Sequence, residues 1–187
     1  MNLIVIPGGA FVENSYLLND GVSEELILID PGSQINEIEE QIKKINFKKL
    51  VIINTHAHLD HVYGVQHFKK KYSAKFHIHE FELPILDVMV EASNRFGLEE
   101  FSNPEIPDVD SFISDNEILN FGGFKFSSLL VPGHSPGSLC FYFSKQNNSN
   151  LENEFITVSY THLRAHETPE HRGFRGRRGK KNGGGGG

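Results

Sequence analysis

The sequence is short of several things, and each shortage excludes something. A single cysteine, Cys140, in 187 residues leaves no partner for an internal disulfide and fits a reducing compartment. It lies in the apolar run 139–143 and is read as a small core residue rather than a nucleophile. No apolar run approaches the roughly 18–20 residues that a bilayer-spanning helix needs, so no membrane partner is expected. The first seven residues carry neither the basic segment nor the small-residue cleavage site of a secretory signal, which predicts a cytoplasmic protein. Cations are scarce up to Thr157: 11 basic against 22 acidic residues, a net charge of −11. So acidic a body argues against nucleic acid as its partner.

What is present reads as one domain. Residues 2–6, 15–18 and 25–30 are short apolar runs expected as strands, the last closing on the turn signal Asp30-Pro31-Gly32. Ile35, Ile38, Ile42 and Ile45 recur at spacings of three and four, which predicts an amphipathic helix over 34–45. The almost wholly apolar run 50–53 predicts a strand buried on both faces. Helices are expected over 63–72 and, with Pro84 in the first turn, over 80–95; a strand is expected over 75–79. Residues 97–115 read as an excursion without regular structure. Strands over 117–120 and 125–131 flank Gly122-Gly123 as a hairpin, a further strand spans 138–144, and another begins at 154–157. Residues 146–153 form a polar loop. Strand, helix, strand is the alternation of a layered α/β or mixed fold, in which ligands gather outside strand carboxyl ends.

At such an end stands Thr55-His56-Ala57-His58-Leu59-Asp60-His61. Residues two apart on extended backbone point the same way, so His56 and His58 can offer two imidazoles to one ion. Asp60 and His61, where the chain turns, can face a second. Imidazole with carboxylate suits zinc or iron, and a catalytic zinc usually takes three protein ligands plus water. His134, bracketed by Pro132-Gly133 and Ser135-Pro136-Gly137, is the best candidate for the third. His67, His77 and His79 stand alone and are read as packing or surface residues.

Thr-His-Ala-His-Leu-Asp-His, with Asp30-Pro31-Gly32 and Pro132-Gly133-His134-Ser135-Pro136-Gly137-Ser138, resembles the signature of the metallo-β-lactamase fold hydrolases, most closely their glyoxalase II-like branch. The resemblance covers residues 1–157. It implies an α+β fold, the αββα four-layer sandwich, with His56, His58 and His134 on a first metal and Asp60 and His61 on a second. Two zinc ions are implied, with iron or manganese as alternatives. The implied reaction is attack of a metal-held hydroxide, which Asp60 orients as a catalytic group, on a thioester such as S-lactoylglutathione. A one-iron enzyme resembling persulfide dioxygenases shares the pattern; a β-lactamase fits less well without an export signal.

The resemblance stops at Thr157. Relatives carry a Gly-Asp there, whose carboxylate bridges both metals, and later one more histidine; here Val158 follows, and no aspartate occurs after Asp115. Residues 158–168 instead resemble a translated sequencing adapter, that of transposase-based short-read libraries. The natural frame is therefore expected to break near Thr157, leaving an incomplete domain over 1–157 and an artefactual, disordered, basic glycine-rich tail over 158–187. Such a chain is expected to expose apolar surface, bind one ion and turn over poorly. Within the tail, His166-Glu167 only partly follows a zincin motif, since Glu170 stands where the second histidine belongs. Residues 172–187 resemble an arginine-glycine RNA-binding arm, and a non-catalytic binding module is the reading from a different class.

Overall fold

The computed structural model describes residues 2–143 and 155–157. The polar stretch 146–153 and the tail 158–187, with His162 and His166, lie outside the described residues. Three strands, β1 (Asn2–Gly8), β2 (Glu13–Asn19) and β3 (Glu25–Ile29), pair in succession, each antiparallel to its neighbour. Beyond β3, the strands β4 (Lys49–Ile53), β5 (Lys75–Ile78) and β6 (Ser111–Phe112) join in parallel, giving a six-stranded sheet in chain order. The parallel steps need crossovers. These are α1 (Ile35–Ile42), then α2 (Leu59–Val62) with α3 (Val65–Tyr72), then α4 (Leu83–Asp87) with α5 (Met89–Phe96).

The continuous apolar runs have a geometric cause. Side chains alternate across a strand, and β3 and β4 are covered on both faces. Leu26, Leu28, Leu50 and Ile52 meet Ile38, Ile42, Val65 and Phe68 of the helices. Ile27, Ile29, Val51 and Ile53 turn the other way, onto Leu119, Phe126, Leu139, Phe141 and Phe143. Those residues belong to a second, antiparallel sheet of β7 (Ile118–Phe121), β8 (Phe124–Leu130), β9 (Leu139–Phe143) and β10 (Phe155–Thr157), ordered β10-β9-β8-β7. Each fully buried Leu, Ile, Val or Phe contributes roughly 1.5–3 kcal/mol, so these two apolar layers drive the assembly. The result is an α+β fold whose described layers, helix, sheet and sheet, are the first three of the expected αββα order.

Several local expectations need correction. Residues 97–115 are not wholly irregular: a 3-10 turn at Glu99–Phe101 and the two-residue β6 lie within them. β6 is held through Asp110, whose Oδ2 accepts from Phe76 N at 2.9 Å and from Lys69 Nζ at 2.6 Å. The helix expected over 80–95 is a 3-10 turn (Glu80–Glu82) followed by α4 and α5, which meet at Val88 with φ −94° and ψ 10°. Cys140 is half-buried on the outward face of β9 rather than in the core, because Leu139 and Phe141 take the inward positions. Burial raises its thiol pKa. On the same outward face Leu129 of β8 and Ile118 of β7 are 48% and 52% exposed. The β7–β8 hairpin closes through Gly122 and Gly123 at φ +58° and +78°, the paired positive angles that a two-residue turn between twisted strands demands.

Candidate metal centre

β4 delivers its carboxyl end to the gap between the two sheets, where Thr55 O accepts from Leu139 N at 2.8 Å. That bond fixes the loop carrying His134 against the loop carrying His56 and His58. The three imidazoles converge: one ligand atom from each of His56, His58 and His134 lies within 4.8 Å of the others. Ring centroids are 4.5 Å apart for His56–His58, 4.9 Å for His56–His134 and 4.5 Å for His58–His134. Zinc–imidazole bonds of about 2.0–2.1 Å put ligand nitrogens about 3.4 Å apart, so closure on an ion needs only small rotations. Among the described residues this is the one cluster of three or more such side chains so closely placed.

The surroundings prepare these rings as ligands. His56 is fully buried, and burial, followed by the charges of His61, His58 and His134, pushes its pKa far below the usual histidine value. Burial first, then His134, also lowers the pKa of His58. Both imidazoles are therefore neutral, the state that binds metal. Thr55 Oγ1 lies 2.7 Å from Asp30 Oδ2 and 3.0 Å from His56 Nδ1. As the hydroxyl donates to Asp30, it accepts from His56 Nδ1–H and leaves Nε2 for an ion. Thr55→Val is expected to weaken zinc binding by about ten- to a hundredfold in a calorimetric titration, because both the tautomer and the ring orientation lose their support.

Asp30 does more than close a turn. It holds φ +49°, a left-handed conformation in which its carboxylate also accepts from Thr55 N at 2.7 Å. The same carboxylate lies 3.2 Å from His61 Nδ1, while His61 Nε2 lies 3.5 Å from Asp60 Oδ2. Burial opposes a charge on His61, but the Asp30 carboxylate beside its Nδ1, with the charges of Asp60 and Glu13, outweighs it and raises its pKa. The His61 ring lies 4.3 Å from that of His56, and among the described residues Asp60 and His61 belong to no group of three donors lying within 4.8 Å of one another.

A residue that sequence reasoning missed holds the two ligand loops together. Glu82, fully buried in the turn after β5, accepts from Ala57 N at 2.8 Å with one oxygen. Its other oxygen accepts from Ser135 Oγ and Gly137 N, each at 2.6 Å. The approach is close enough that a Cβ on Gly137 would sit 2.9 Å from Glu82 Cγ. The three isolated histidines have structural posts instead. His67 pairs with Glu39 at 2.6 Å, His77 is half-buried on β5, and His79 Nδ1 accepts from Phe81 N at 3.1 Å.

Glu13 is a second missed carboxylate. It is 2% exposed, lies beside Gly9 and Gly32, and neither oxygen has a hydrogen-bond partner among the described residues. Burial, with repulsion from Asp60 and Glu100, raises its pKa to about 7. Since the folded value lies above the unfolded one of 4.5, its contribution is intact below that pH. It is lost as pH rises toward 7, at a cost of at most about 3 kcal/mol. Glu13→Gln in the metal-free protein is expected to match the parent near pH 4.5 and exceed it by about 2–3 kcal/mol at pH 8, measured by urea unfolding.

Beside the triad opens a cavity of about 370 Å³, with His58, Asp60 and His134 at one end and the α4–α5 pair along one side. This geometry has counterparts in known proteins. The sequence pattern of the Metallo-beta-lactamase superfamily matches residues 8–147. Hydroxyacylglutathione hydrolase GloC of Haemophilus influenzae is 31% identical over 148 residues, covering 75% of this chain and 66% of the relative. The probable metallo-hydrolase YqgX of Bacillus subtilis is 31% identical over 139 residues, covering 73% and 63%. This chain thus spans about two thirds of the length of these relatives. Among solved structures, BLEG-1 B3 metallo-beta-lactamase superposes with a TM-score of 0.65 at 28% identity, covering 76% of this chain and 67% of that one. TTHA1623 in a di-iron-bound form gives 0.60 at 28% identity, covering 74% and 66%. With its fold, its histidine loops and three quarters of its length matched, the chain belongs to the metallo-β-lactamase superfamily.

Proposed function

We propose that this chain is a metal-dependent hydrolase of the glyoxalase II-like type, acting on an acyl thioester of a small-molecule thiol. The observation that carries the reading is the convergence of His56, His58 and His134 beside Asp60 at the end of an open cavity. The likeness to hydroxyacylglutathione hydrolases supports the thioester.

The donor set fits a zinc ion: three converging imidazoles, one with its tautomer set by Thr55. His56, His58 and His134 would hold it, and Asp60 with His61 offers two donors toward a second. When bound, zinc supplies a Lewis acid and lowers the pKa of coordinated water to about 7. The protein's own share is positional. Glu82 keeps the two ligand loops in register, Asp30 and Thr55 orient His56, and the Asp60 carboxylate, on the cavity wall, is placed to hold and pass on a proton.

Released thiol, followed with zinc-loaded full chain and an acyl thioester of N-acetylcysteamine, tests the reading. Turnover should vanish with chelator and return with zinc; hydrolysis that persists without metal would sink it. A second reading, a one-iron enzyme resembling persulfide dioxygenases, draws support from the triad being the single three-donor cluster among the described residues. Iron content and oxygen consumption separate the two.

A further inference from the structure

The cavity beside the triad has a chemistry of its own. Ile85, Val88, Met89, Ala92 and Phe96 recur at helical spacing along α4 and α5, and present one apolar face toward the metal ligands. Phe11, from the β1–β2 turn, closes the far side and meets Phe96 edge-on at 5.2 Å. Val88 and Phe96 are 47% and 50% exposed, a cost in water that an apolar occupant would remove. Glu91, Asn94 and Arg95 of α5 are exposed and absent from the lining.

Charge points the same way. Among the described residues, no lysine or arginine lines the cavity. Lys69, Lys70 and Lys71 of α3 are paired with Asp110, Glu105 and Glu39. A glutathione conjugate brings two carboxylates, which recognition sites usually meet with arginine or lysine. An unbranched acyl chain asks only for apolar wall, and a cavity of about 370 Å³ lies at the small end of ligand pockets.

We propose that the α4–α5 cavity holds the acyl chain of the substrate, so that the chain selects hydrophobic acyl thioesters over small hydroxyacyl glutathione thioesters. This rests on the thioester hydrolase reading, and binding and turnover are measured separately so that the two can fail separately. The probes are unreactive ketone analogues of N-acetylcysteamine thioesters, with CH₂ in place of the thioester sulfur and acyl chains of two to ten carbons, titrated by calorimetry into zinc-loaded full chain. Affinity should rise about fourfold per added methylene until the cavity is full. Ala92→Trp, which occupies the cavity, should end the rise at a shorter chain and weaken the eight-carbon analogue at least tenfold. Val88→Lys, at the exposed rim, should flatten the series even if Ala92→Trp folds poorly. Asn94→Trp, on the solvent face of α5, should leave the series as it is. Affinity independent of chain length, or an equal response of all lengths to Ala92→Trp, overturns the proposal even if thioesters are hydrolysed. A fourfold-per-methylene rise without hydrolysis of any thioester supports the cavity assignment and defeats the hydrolase reading. Turnover of S-lactoylglutathione with a kcat/KM above that of the octanoyl thioester also overturns the selectivity.

Discussion

Glu82→Ala is expected to cost about 3–5 kcal/mol of stability in the metal-free protein. The substitution strips the acceptor from Ala57 N, Ser135 Oγ and Gly137 N at once. Each buried donor left unpaired costs roughly 1–3 kcal/mol, and water entering the space recovers only part of this. The same change uncouples the loop of His56 and His58 from that of His134, so zinc affinity should fall by about ten- to a hundredfold although no ligand has been touched. Glu82→Gln keeps an acceptor oxygen but sets an amide N–H₂ against donors, and should fall between. Urea unfolding and zinc calorimetry measure the two effects. A stability loss under 1 kcal/mol would show that other contacts hold the loops together.

His58→Ala removes a ligand without emptying the core, since His58 is only half-buried while His56 is fully enclosed. Structural zinc sites with four ligands gain about 10–16 kcal/mol, so one ligand is worth roughly 3–4, or a hundred- to a thousandfold in affinity. Zinc at a thousand times the parent's dissociation constant should stabilise the parent by about 4 kcal/mol and the variant by under 1.5. Urea midpoints with and without the ion provide the measurement. Equal stabilisation of both proteins would mean that zinc binds elsewhere.

The sequence exposed the parts of this site that depend on neighbours along the chain. His56, His58, Asp60 and His61 are legible because strand alternation and one turn determine where they point. His134 is legible from its proline and glycine brackets. Glu82 is not, since it is one glutamate in Glu80-Phe81-Glu82 and its partners are a hydroxyl and two backbone amides that meet it only when the sheets pack. Asp30 showed its turn but not its left-handed φ or its hold on Thr55 and His61. The α4–α5 break at Val88 is masked by apolar spacing that runs straight across it. β6 lacks an alternating pattern because two residues are too few to make one. The two-sided burial of β3 and β4 was plain, because only strands covered on both faces tolerate such uninterrupted apolar runs.

The central claim is that His56, His58 and His134 together hold a metal ion. Zinc-edge X-ray absorption on the full chain loaded with one equivalent tests it most directly. Three imidazoles at about 2.0–2.1 Å in a four-coordinate shell is the expected result. A shell with fewer than two imidazoles, as carboxylates of the acidic body would give, would contradict it.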